Sequence, residues 1–335
     1  MKPRTPRWWY ERGRRSMPIT RAVLTPVSWI WTWATARRLA RGTPVDPGVP
    51  VICVGNLTAG GSGKTPVVLA VVEHLRQGGK NPHVLSRGYG GRLAGPVRVD
   101  PKVHAVGDVG DEAMMLSGHV PVWVSRDRAA GALAAAAAGA GVIVMDDGHQ
   151  NPSVRKTLSL VVVDGETRDD EWPFGDGAVF PAGPMREPLA VGLARADAVI
   201  VLLPADMARA DPDIVRLLDE KPILPARLVP VGATPHGPHV GFAGVAKPWK
   251  VERALKAAGC DLVDFAPLAD HAAISEATLN FLAARADAFG ARLITTEKDW
   301  ARLSPAWRDR VAVWPVAVKF DDEEVLAALL ARTVS

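Results

Sequence analysis

Residues 49–65 constrain the fold of this chain more than any other stretch, because a strand, a glycine-rich turn and a helix start follow one another there. The apolar run from Val51 to Val54 is rich in β-branched residues and predicts a buried strand. Four glycines come next, and Lys64 and Thr65 then open a helix. This order is typical of a phosphate-binding P-loop, in which glycines allow successive backbone N–H groups to converge on one phosphate.

Each part of the P-loop has a predicted chemical role. Lys64 supplies a mobile positive charge for the terminal phosphates, and Thr65 supplies a hydroxyl for Mg²⁺. The pattern G-x-x-x-x-G-K-[ST] would place glycine where this chain has Thr58, so a strand-to-helix turn without a ligand is the alternative. The nucleotide-binding residues predicted from the motif are Thr58, Ala59, Gly60, Gly61, Ser62, Gly63, Lys64, Thr65 and Pro66.

A pair of acids follows a second buried strand, which is predicted at residues 142–145. An apolar strand that ends in an acid is the Walker B pattern, in which a carboxylate holds Mg²⁺ directly or through water. Asp146 and Asp147 are therefore predicted metal ligands, together with Thr65. The pattern is weak alone and gains weight because it lies three strand–helix units beyond the P-loop.

Strands and helices alternate through the first two thirds of the chain. Helices are predicted at residues 65–78 and 126–139, a short helix after Gly110, and strands at residues 83–86, 120–124, 158–163 and 198–203. Such alternation requires a mostly parallel sheet with right-handed crossovers, which predicts an α/β fold of the P-loop NTPase type, flanked by helices. Because ligands bind beyond the carboxyl ends of such strands, the glycine loop at 87–91 is expected to face the same cleft; a simple turn is the alternative.

The last third predicts a second, smaller α/β unit. Repeated prolines and glycines at residues 222–238 indicate a linker. Beyond it, strands are predicted at 239–243, 260–265, 291–295 and 311–316, with helices near 249–258 and 275–288 and a closing helix at 321–332. The predicted division is an N-terminal segment at 1–45, a P-loop core at 46–228, a smaller domain at 229–318 and a C-terminal helix at 319–335.

Composition limits the class of protein and its compartment. With 335 residues, 48% of them hydrophobic, the chain can bury a large core and is expected to form two units. Cys53 and Cys260 lie far apart in the sequence, which argues against a disulfide framework and favours a reducing cytosol.

The positive charge is concentrated at one end of the chain. Residues 1–41 contain ten Lys or Arg and one acid, a net +9, and since the whole chain carries +4 the remainder carries −5. A basic end on a mildly acidic body predicts contact with one anionic surface and argues against a nucleic-acid partner.

The basic N-terminal segment also holds five of the eleven tryptophans: Trp8, Trp9, Trp29, Trp31 and Trp33. Tryptophan beside arginine is typical of a membrane interface. Only 15 uncharged residues separate Arg21 from Arg37, and Pro26 interrupts them, whereas a spanning helix needs about 20 apolar residues. We therefore expect an amphipathic helix that lies on the bilayer, without a spanning helix or a signal peptide. The alternative is a helix packed on the core of the protein itself.

An ordered set of motifs over nearly the whole chain resembles the tetraacyldisaccharide 4′-kinase family, which makes lipid A in Gram-negative bacteria. Thr58 belongs to that family's P-loop, and the departures, Ala113 and Met185, alter no group capable of chemistry. The motifs are Gly55-Asn56-Leu57-Thr58, Gly60-Gly61-Ser62-Gly63-Lys64-Thr65-Pro66, Ser86-Arg87-Gly88-Tyr89-Gly90, Gly110-Asp111-Glu112, Asp146-Asp147-Gly148-His149-Gln150, Arg186-Glu187-Pro188, Asp270-His271 and Thr296-Glu297-Lys298-Asp299.

The resemblance implies ATP-dependent, Mg²⁺-assisted phosphorylation of the 4′-hydroxyl of a tetraacyldisaccharide 1-phosphate, which gives lipid IVA. It implies peripheral association with the cytoplasmic face of the inner membrane, where the anionic acylated substrate resides; no protein partner is predicted. An enzyme whose substrate never leaves the bilayer should dock through a basic, tryptophan-bearing end, which agrees with the charge distribution.

The resemblance also implies roles for single residues. Asp111 matches the family's catalytic aspartate, predicted here as the general base, and His271 matches its histidine partner; Lys64 binds the β- and γ-phosphates. From the residues alone, Asp111 could equally be a helix N-cap and His271 an ordinary surface histidine. For Arg126, Arg186 and Glu187 the alternatives are surface ion pairing and, for the Arg-Glu pair, fastening of a loop. The residues assigned more weakly to substrate or transition state are Arg87, Tyr89, Glu112, Arg126, His149, Gln150, Arg186 and Glu187.

Because Asp111 and His271 belong to different predicted units, the active site is expected where the units meet. Two other functions remain open from the sequence. One is a P-loop NTPase that hydrolyses nucleotide to drive a partner protein, and the other is a nucleotide-binding membrane scaffold without catalysis.

Overall fold

The computed structural model describes residues 6–13, 17–166, 171–270 and 274–334. A short 3-10 helix spans Arg7–Trp9. The α-helices are α1 (Pro18–Arg41), α2 (Lys64–Gln77), α3 (Val106–Val109), α4 (Asp111–Ser117), α5 (Arg128–Ala137), α6 (Leu189–Ala194), α7 (Pro212–Leu218), α8 (Pro248–Ala257), α9 (Glu276–Ala288), α10 (Glu297–Trp300), α11 (Pro305–Arg308) and α12 (Glu323–Val334). The strands are β1 (Val51–Gly55), β2 (Pro82–Ser86), β3 (Val97–Arg98), β4 (Val122–Val124), β5 (Val142–Asp146), β6 (Leu158–Asp164), β7 (Ala198–Pro204), β8 (Ile223–Pro230), β9 (Pro238–Ala243), β10 (Asp261–Pro267), β11 (Arg292–Thr296), β12 (Val311–Trp314) and β13 (Val316–Phe320).

The described residues form two sheets. The larger has nine strands in the order β13-β8-β7-β6-β1-β5-β2-β4-β3, and its two edge strands, β3 and β13, are antiparallel to their neighbours. The smaller has four parallel strands in the order β10-β9-β11-β12. We call the parts built on these sheets the large unit and the small unit, the latter spanning residues 238–314. The predicted α/β fold with a mostly parallel sheet and a second, smaller α/β part is confirmed.

Strand β1, which leads into the P-loop, lies in the middle of the large sheet between β5 and β6. All five of its residues are buried, as are all five of β5, because helices cover both faces of a parallel sheet. Helix α2 packs through the apolar stripe that the sequence predicts: Val67, Val68, Val71, Val72 and Leu75. The register pairs Val54 with Asp146, so the P-loop and the Walker B acids leave adjacent strands at the same edge of the sheet.

Two predictions for the chain beyond residue 220 are wrong. The predicted linker at 222–238 contains β8, a strand of the large sheet, and the prolines at 225 and 230 hid it because proline cannot donate a ladder hydrogen bond. The single strand predicted at 311–316 is two strands that end in different sheets: β12 pairs with β11, and β13 pairs with β8. The chain thus returns to the large sheet after the small one. The domain boundaries stay a prediction.

Helix α1 turns a polar face toward the protein and an apolar face outward. Arg21, Ser28 and Thr35 are buried, seven residues apart, and Pro26 lies inside the helix. The exposed apolar side chains include Trp29, which is 69% exposed, with Ile19, Val23, Val27, Ile30, Trp31 and Trp33. Burial of the aromatic face against the protein's own core, the alternative left open by the sequence, is therefore not what the structure has. Within the described ranges, no helix has the length and hydrophobicity that a membrane crossing requires.

Helix α12 fastens the end of the chain to the large unit, because Leu326 and Leu330 join the same apolar core as β1 and α2. Leu326 is fully buried, whereas its neighbour Val325 is 47% exposed. We expect Leu326→Ala to lower the free energy of unfolding, measured by urea titration, by about 2–5 kcal/mol through loss of burial and the cavity left behind. Val325→Ala is the control, with an expected change within about 0.5 kcal/mol. Equal losses for the two variants would contradict this packing.

Candidate active site

The P-loop connects β1 to α2 and is closed by its own polar contacts. The Asn56 side-chain amide donates to the Ser62 hydroxyl over 3.0 Å, and both residues are buried. Gly63 is the residue before α2 and has φ +77°, a left-handed conformation that glycine adopts without strain. Lys64, Thr65 and Pro66 then form the first turn of α2, where unpaired backbone N–H groups favour an anion.

Asp147 is the centre of a cluster of ion pairs. Its carboxylate lies 3.5 Å from Lys64 Nζ and accepts from both terminal nitrogens of Arg186, at 2.8 and 3.1 Å. Burial alone would raise the pKa of this carboxyl, but the charges of Lys64 and Arg186 outweigh it and hold the pKa well below the usual range. Asp147 also has φ +51°, a conformation that residues with a Cβ rarely adopt and that persists only where the surroundings enforce it.

Asp146 lies in a different electrostatic environment from its neighbour. The carboxyl is buried, and this burial, with the nearby charges of Glu112 and Asp147, raises its pKa to about 7. Arg128, itself buried, donates to the Asp146 backbone carbonyl over 3.1 Å. The two consecutive acids therefore differ: two basic side chains pair directly with Asp147, whereas burial and the neighbouring acids raise the pKa of Asp146.

The loop at residues 176–187 lies against the P-loop and carries Arg186. The Ala59 N–H donates to the Pro184 carbonyl over 2.7 Å, and Thr58 forms a β-bridge with Met185. Arg186 Nε donates to the Thr58 carbonyl over 3.1 Å. The Tyr10 hydroxyl donates to the Ala59 carbonyl from the N-terminal segment. The P-loop backbone is thus held from outside as well as from within.

Gln150 and Glu187 brace the same region. Gln150 Nε2 donates to the Asn56 carbonyl at 2.9 Å and to Glu187 Oε1 at 3.0 Å. Glu187 is buried and accepts from Arg195 through both carboxylate oxygens, at 2.6 Å each. His149 is buried behind the site, its Nε2 lies 2.9 Å from the Gly192 carbonyl, and burial lowers its pKa to about 4. These three residues support the loops in this structure.

Asp111 brings the small unit into the site. It begins α4 in the large unit, is 5% exposed, and pairs with Arg302 and, at 3.7 Å, with Lys298, both of the small unit. Asp299 orients Arg302 through a contact of 3.0 Å. The N-cap of α4 is Gly110, so Asp111 is not the cap residue that the sequence left open. As expected, a candidate catalytic group lies where the units meet.

Lys298 links three carboxylates at this junction. Its Nζ lies 3.2 Å from Glu112 and 4.0 Å from Asp270, in addition to Asp111. Burial would lower the pKa of Lys298, but the charges of Glu112 and Asp111 outweigh it and raise the pKa. His271, the predicted partner of Asp111, lies outside the described residues, directly after Asp270.

Other predicted residues lie further out. Arg87 and Tyr89 are exposed in the glycine loop. Burial lowers the pKa of Arg128, and the charge of Arg87 adds to this effect. Arg126 is exposed and donates to the carbonyls of Gly91 and Arg92, at 3.3 and 3.4 Å. The structure therefore joins Arg126 to the glycine loop.

Sequence reasoning missed Arg128, Arg302 and the role of Lys298. Arg128 is two positions beyond Arg126, and only burial distinguishes the two arginines. Lys298 stands in the motif Thr296-Glu297-Lys298-Asp299, and Arg302 follows Asp299 at the i+3 position of a helical turn. The motif and the helical spacing could thus have drawn attention to Lys298 and Arg302, but neither indicates which carboxylate these cations pair with.

The family model described as tetraacyldisaccharide-1-P 4′-kinase matches residues 20–335. The chain belongs to that family. It is 68% identical to the tetraacyldisaccharide 4′-kinase of Phenylobacterium zucineum, over 98% of this chain and 99% of that protein. It is 48% identical to the enzyme of the same name from Rhodospirillum centenum, over 99% of this chain and 97% of that protein. The predicted family, the predicted kinase class and the predicted 4′-kinase function are confirmed.

A solved structure agrees with the fold. The crystal structure of LpxK from Aquifex aeolicus in complex with ATP superposes with a TM-score of 0.74 at 25% identity, covering 94% of this chain and all of that one. The similarity extends over both units of the present structure. The two alternative functions, a partner-driving NTPase and a scaffold without catalysis, are set aside by family membership.

The left-handed turn at Gly63 generates a prediction about nucleotide binding. A Cβ at this position would lie 2.4 Å from Leu202 Cδ2, and φ +77° costs a residue with a Cβ about 1–2 kcal/mol. We expect Gly63→Ala to weaken Mg-ATP binding, measured by calorimetric titration, by about tenfold or more. Gly107→Ala is the control, because its Cβ would meet nothing within 4 Å and its φ is ordinary. Unchanged affinity in the Gly63 variant would argue against the P-loop as the nucleotide site.

Proposed function

We propose that ATP binds at the P-loop and that its γ-phosphate passes to the 4′-hydroxyl of the tetraacyldisaccharide 1-phosphate, with Asp111 as general base. The observation that carries this assignment is the buried Asp111 carboxylate, paired with Lys298 and Arg302 of the small unit, which also lies against the P-loop: a Cβ at Gly61 would be 3.1 Å from the Ala246 side chain. A hydroxyl that enters between the units reaches the base from one side and the phosphate donor from the other. Phosphoryl transfer requires that positioning.

The residues near the P-loop suit Mg²⁺. Thr65 offers a hydroxyl, and Asp146 and Asp147 offer carboxylates, the hard oxygen ligands that Mg²⁺ prefers. Among the described residues no group of three or more His, Cys, Asp or Glu side chains is arranged around a metal site, and Mg²⁺ held by one or two carboxylates and by phosphates needs none. We assign the direct contact to Asp146, since Lys64 and Arg186 already pair with Asp147. When held by Thr65 and Asp146, a bound Mg²⁺ would offset the negative charge of the phosphates.

Cations of this chain stabilise the transferring group. Lys64 at the start of α2 is placed for the β- and γ-phosphates. Arg186 contacts the Thr58 carbonyl of the P-loop and is therefore placed close to the same anion. Fixed positive charge of this kind favours a transition state in which negative charge spreads over the phosphoryl oxygens. Arg302 and Lys298 keep the Asp111 carboxylate in place until a substrate hydroxyl arrives. His271 remains the predicted partner of this base.

We assign the membrane contact to α1. Its outward face carries Trp29, Ile30 and Trp33, each at least 60% exposed, and tryptophan prefers the interface between hydrocarbon and head groups. The same helix ends in Arg37, Arg38 and Arg41, which suit anionic head groups. The face turned inward is polar, so the helix would lie along a bilayer surface with its protein-facing side already satisfied. Because the acylated substrate of the family resides at the cytoplasmic face of the inner membrane, we propose that α1 binds there.

Replacement of the base tests the catalytic assignment. We expect Asp111→Asn to lower turnover by about 10²- to 10⁴-fold because the amide cannot accept the hydroxyl proton, while Mg-ATP affinity stays within a few-fold. Product formation is measured by mass spectrometry of the lipid, and affinity by calorimetry. Asp219→Asn, an exposed acid at the end of α7, is the matched control and should behave as wild type. Turnover within a few-fold of wild type would exclude Asp111 as the base.

Removal of two aromatic side chains tests the membrane assignment. We expect Trp29→Ala combined with Trp33→Ala to weaken binding to anionic vesicles at least tenfold, since burial of one large apolar side chain contributes about 1.5–3 kcal/mol. Sedimentation with vesicles measures this binding. Phe281→Ala, which removes an exposed aromatic ring from α9, is the control. Binding should also fall with salt, and binding that ignores both the tryptophans and salt would contradict docking by α1.

A further inference from the structure

Helix α1 has a second contact surface that the membrane assignment does not use. Its buried residues are polar, whereas a helix packed on a globular core ordinarily buries apolar ones. Ser28 and Thr35 are 5% and 7% exposed. Because hydrogen bonds are directional, polar contacts of this kind fix the position of the partner more closely than apolar contacts do.

The polar face of α1 holds the loop at residues 176–187. The Ser28 hydroxyl donates to the Val179 carbonyl over 2.8 Å and accepts from the Ala182 N–H over 3.1 Å. Arg21 donates to Asp176 over 2.5 Å. Trp31 Nε1 donates to the carbonyl of Arg186 over 3.1 Å, and its ring lies 4.8 Å from that of Phe180.

The opposite side of the same loop lies on the nucleotide site. The Arg186 N–H donates to the Leu57 carbonyl over 2.8 Å, in addition to the contacts of this loop with Thr58 and Ala59. The Arg186 side chain pairs with Asp147. Three layers are therefore stacked in space: α1, then the 176–187 loop, then the P-loop. The loop has no regular secondary structure, and its contacts with α1 on one side and with the P-loop on the other contribute to its position.

We infer that Ser28 and Trp31 are positioning residues for the nucleotide site: through the 176–187 loop they set the place of Arg186 and of the P-loop backbone at residues 57–59. This inference rests on the proposed function, since it takes the P-loop as the ATP site. It adds that the helix assigned to the membrane also determines how well ATP is held. Ser28 is buried against the loop, whereas Trp29 and Trp33 are exposed, so these residues can be changed separately. Trp31 is 44% exposed and still contacts the loop through its indole N–H.

A matched pair of substitutions tests the inference. Valine and threonine have nearly the same volume at position 28, and only threonine can donate to Val179 and accept from Ala182. We expect Ser28→Val to weaken Mg-ATP binding about three- to tenfold and to raise the KM for ATP by the same factor, with kcat changed less than twofold. Ser28→Thr should stay within twofold of wild type. Calorimetry without any lipid measures the affinity, so failure of the lipid assignment leaves this test intact.

A second pair covers the case in which position 28 does not tolerate replacement. Trp31→Phe keeps the ring near Phe180 and removes the N–H donor to Arg186, and we expect it to weaken Mg-ATP binding at least twofold. Phe281→Leu, at an exposed aromatic residue of α9, should leave ATP affinity unchanged. The inference is overturned if Ser28→Val and Ser28→Thr bind ATP equally well, or if Trp31→Phe and Phe281→Leu both bind ATP as wild type does. A lower melting temperature alone, without weaker ATP binding, would also overturn it.

Discussion

The ion cluster of Asp147, Lys64 and Arg186 is the interaction on which the site depends. It joins three separate segments: the end of β5, the first turn of α2 and the loop that precedes α6. The side chains of Lys64, Asp147 and Arg186 are 13%, 35% and 29% exposed, so solvent screens these pairs in part. The cluster explains why Asp147 is held at φ +51° and why Arg186 can touch both the acid and the Thr58 carbonyl. A phosphate anion entering here meets cations already in place.

A second set of charges holds the small unit over this site. Asp164, at the end of β6, pairs with Lys247 at 3.0 Å and with Lys250 at 2.5 Å; burial would raise its pKa, but these two lysines lower it. A Cβ added to Gly61 of the P-loop would lie 3.1 Å from the Ala246 side chain. Together with the contacts of Asp111 to Lys298 and Arg302, these pairs place the small unit directly above the nucleotide loop.

Much of the fold and part of the site could be predicted because they are local in sequence. The strand, glycines, Lys64 and Thr65 lie within 17 residues, and the apolar stripe of α2 follows helical periodicity. Strand β8 could not be predicted because its prolines obscure the strand pattern in the sequence. The strand forms because it pairs with β7 and β13 in the sheet. Arg128 and Arg302 were missed because only the tertiary structure shows which arginines are buried near the site. The inward polar face of α1 was missed as well, because the carbonyl groups that it contacts belong to a loop about 150 residues later.

We propose that the two faces of α1 serve one reaction: the outward face would contact lipid, and the inward face contacts the loop that lies on the P-loop. The central claim is that the chain transfers phosphate to the 4′-hydroxyl of the acylated disaccharide 1-phosphate. Phosphorus NMR of the lipid after incubation with Mg-ATP tests this most directly. The account predicts a new phosphomonoester at the 4′ position, formed in equal amount to the ADP released. Release of ADP with inorganic phosphate, while the lipid remains unchanged, would contradict it.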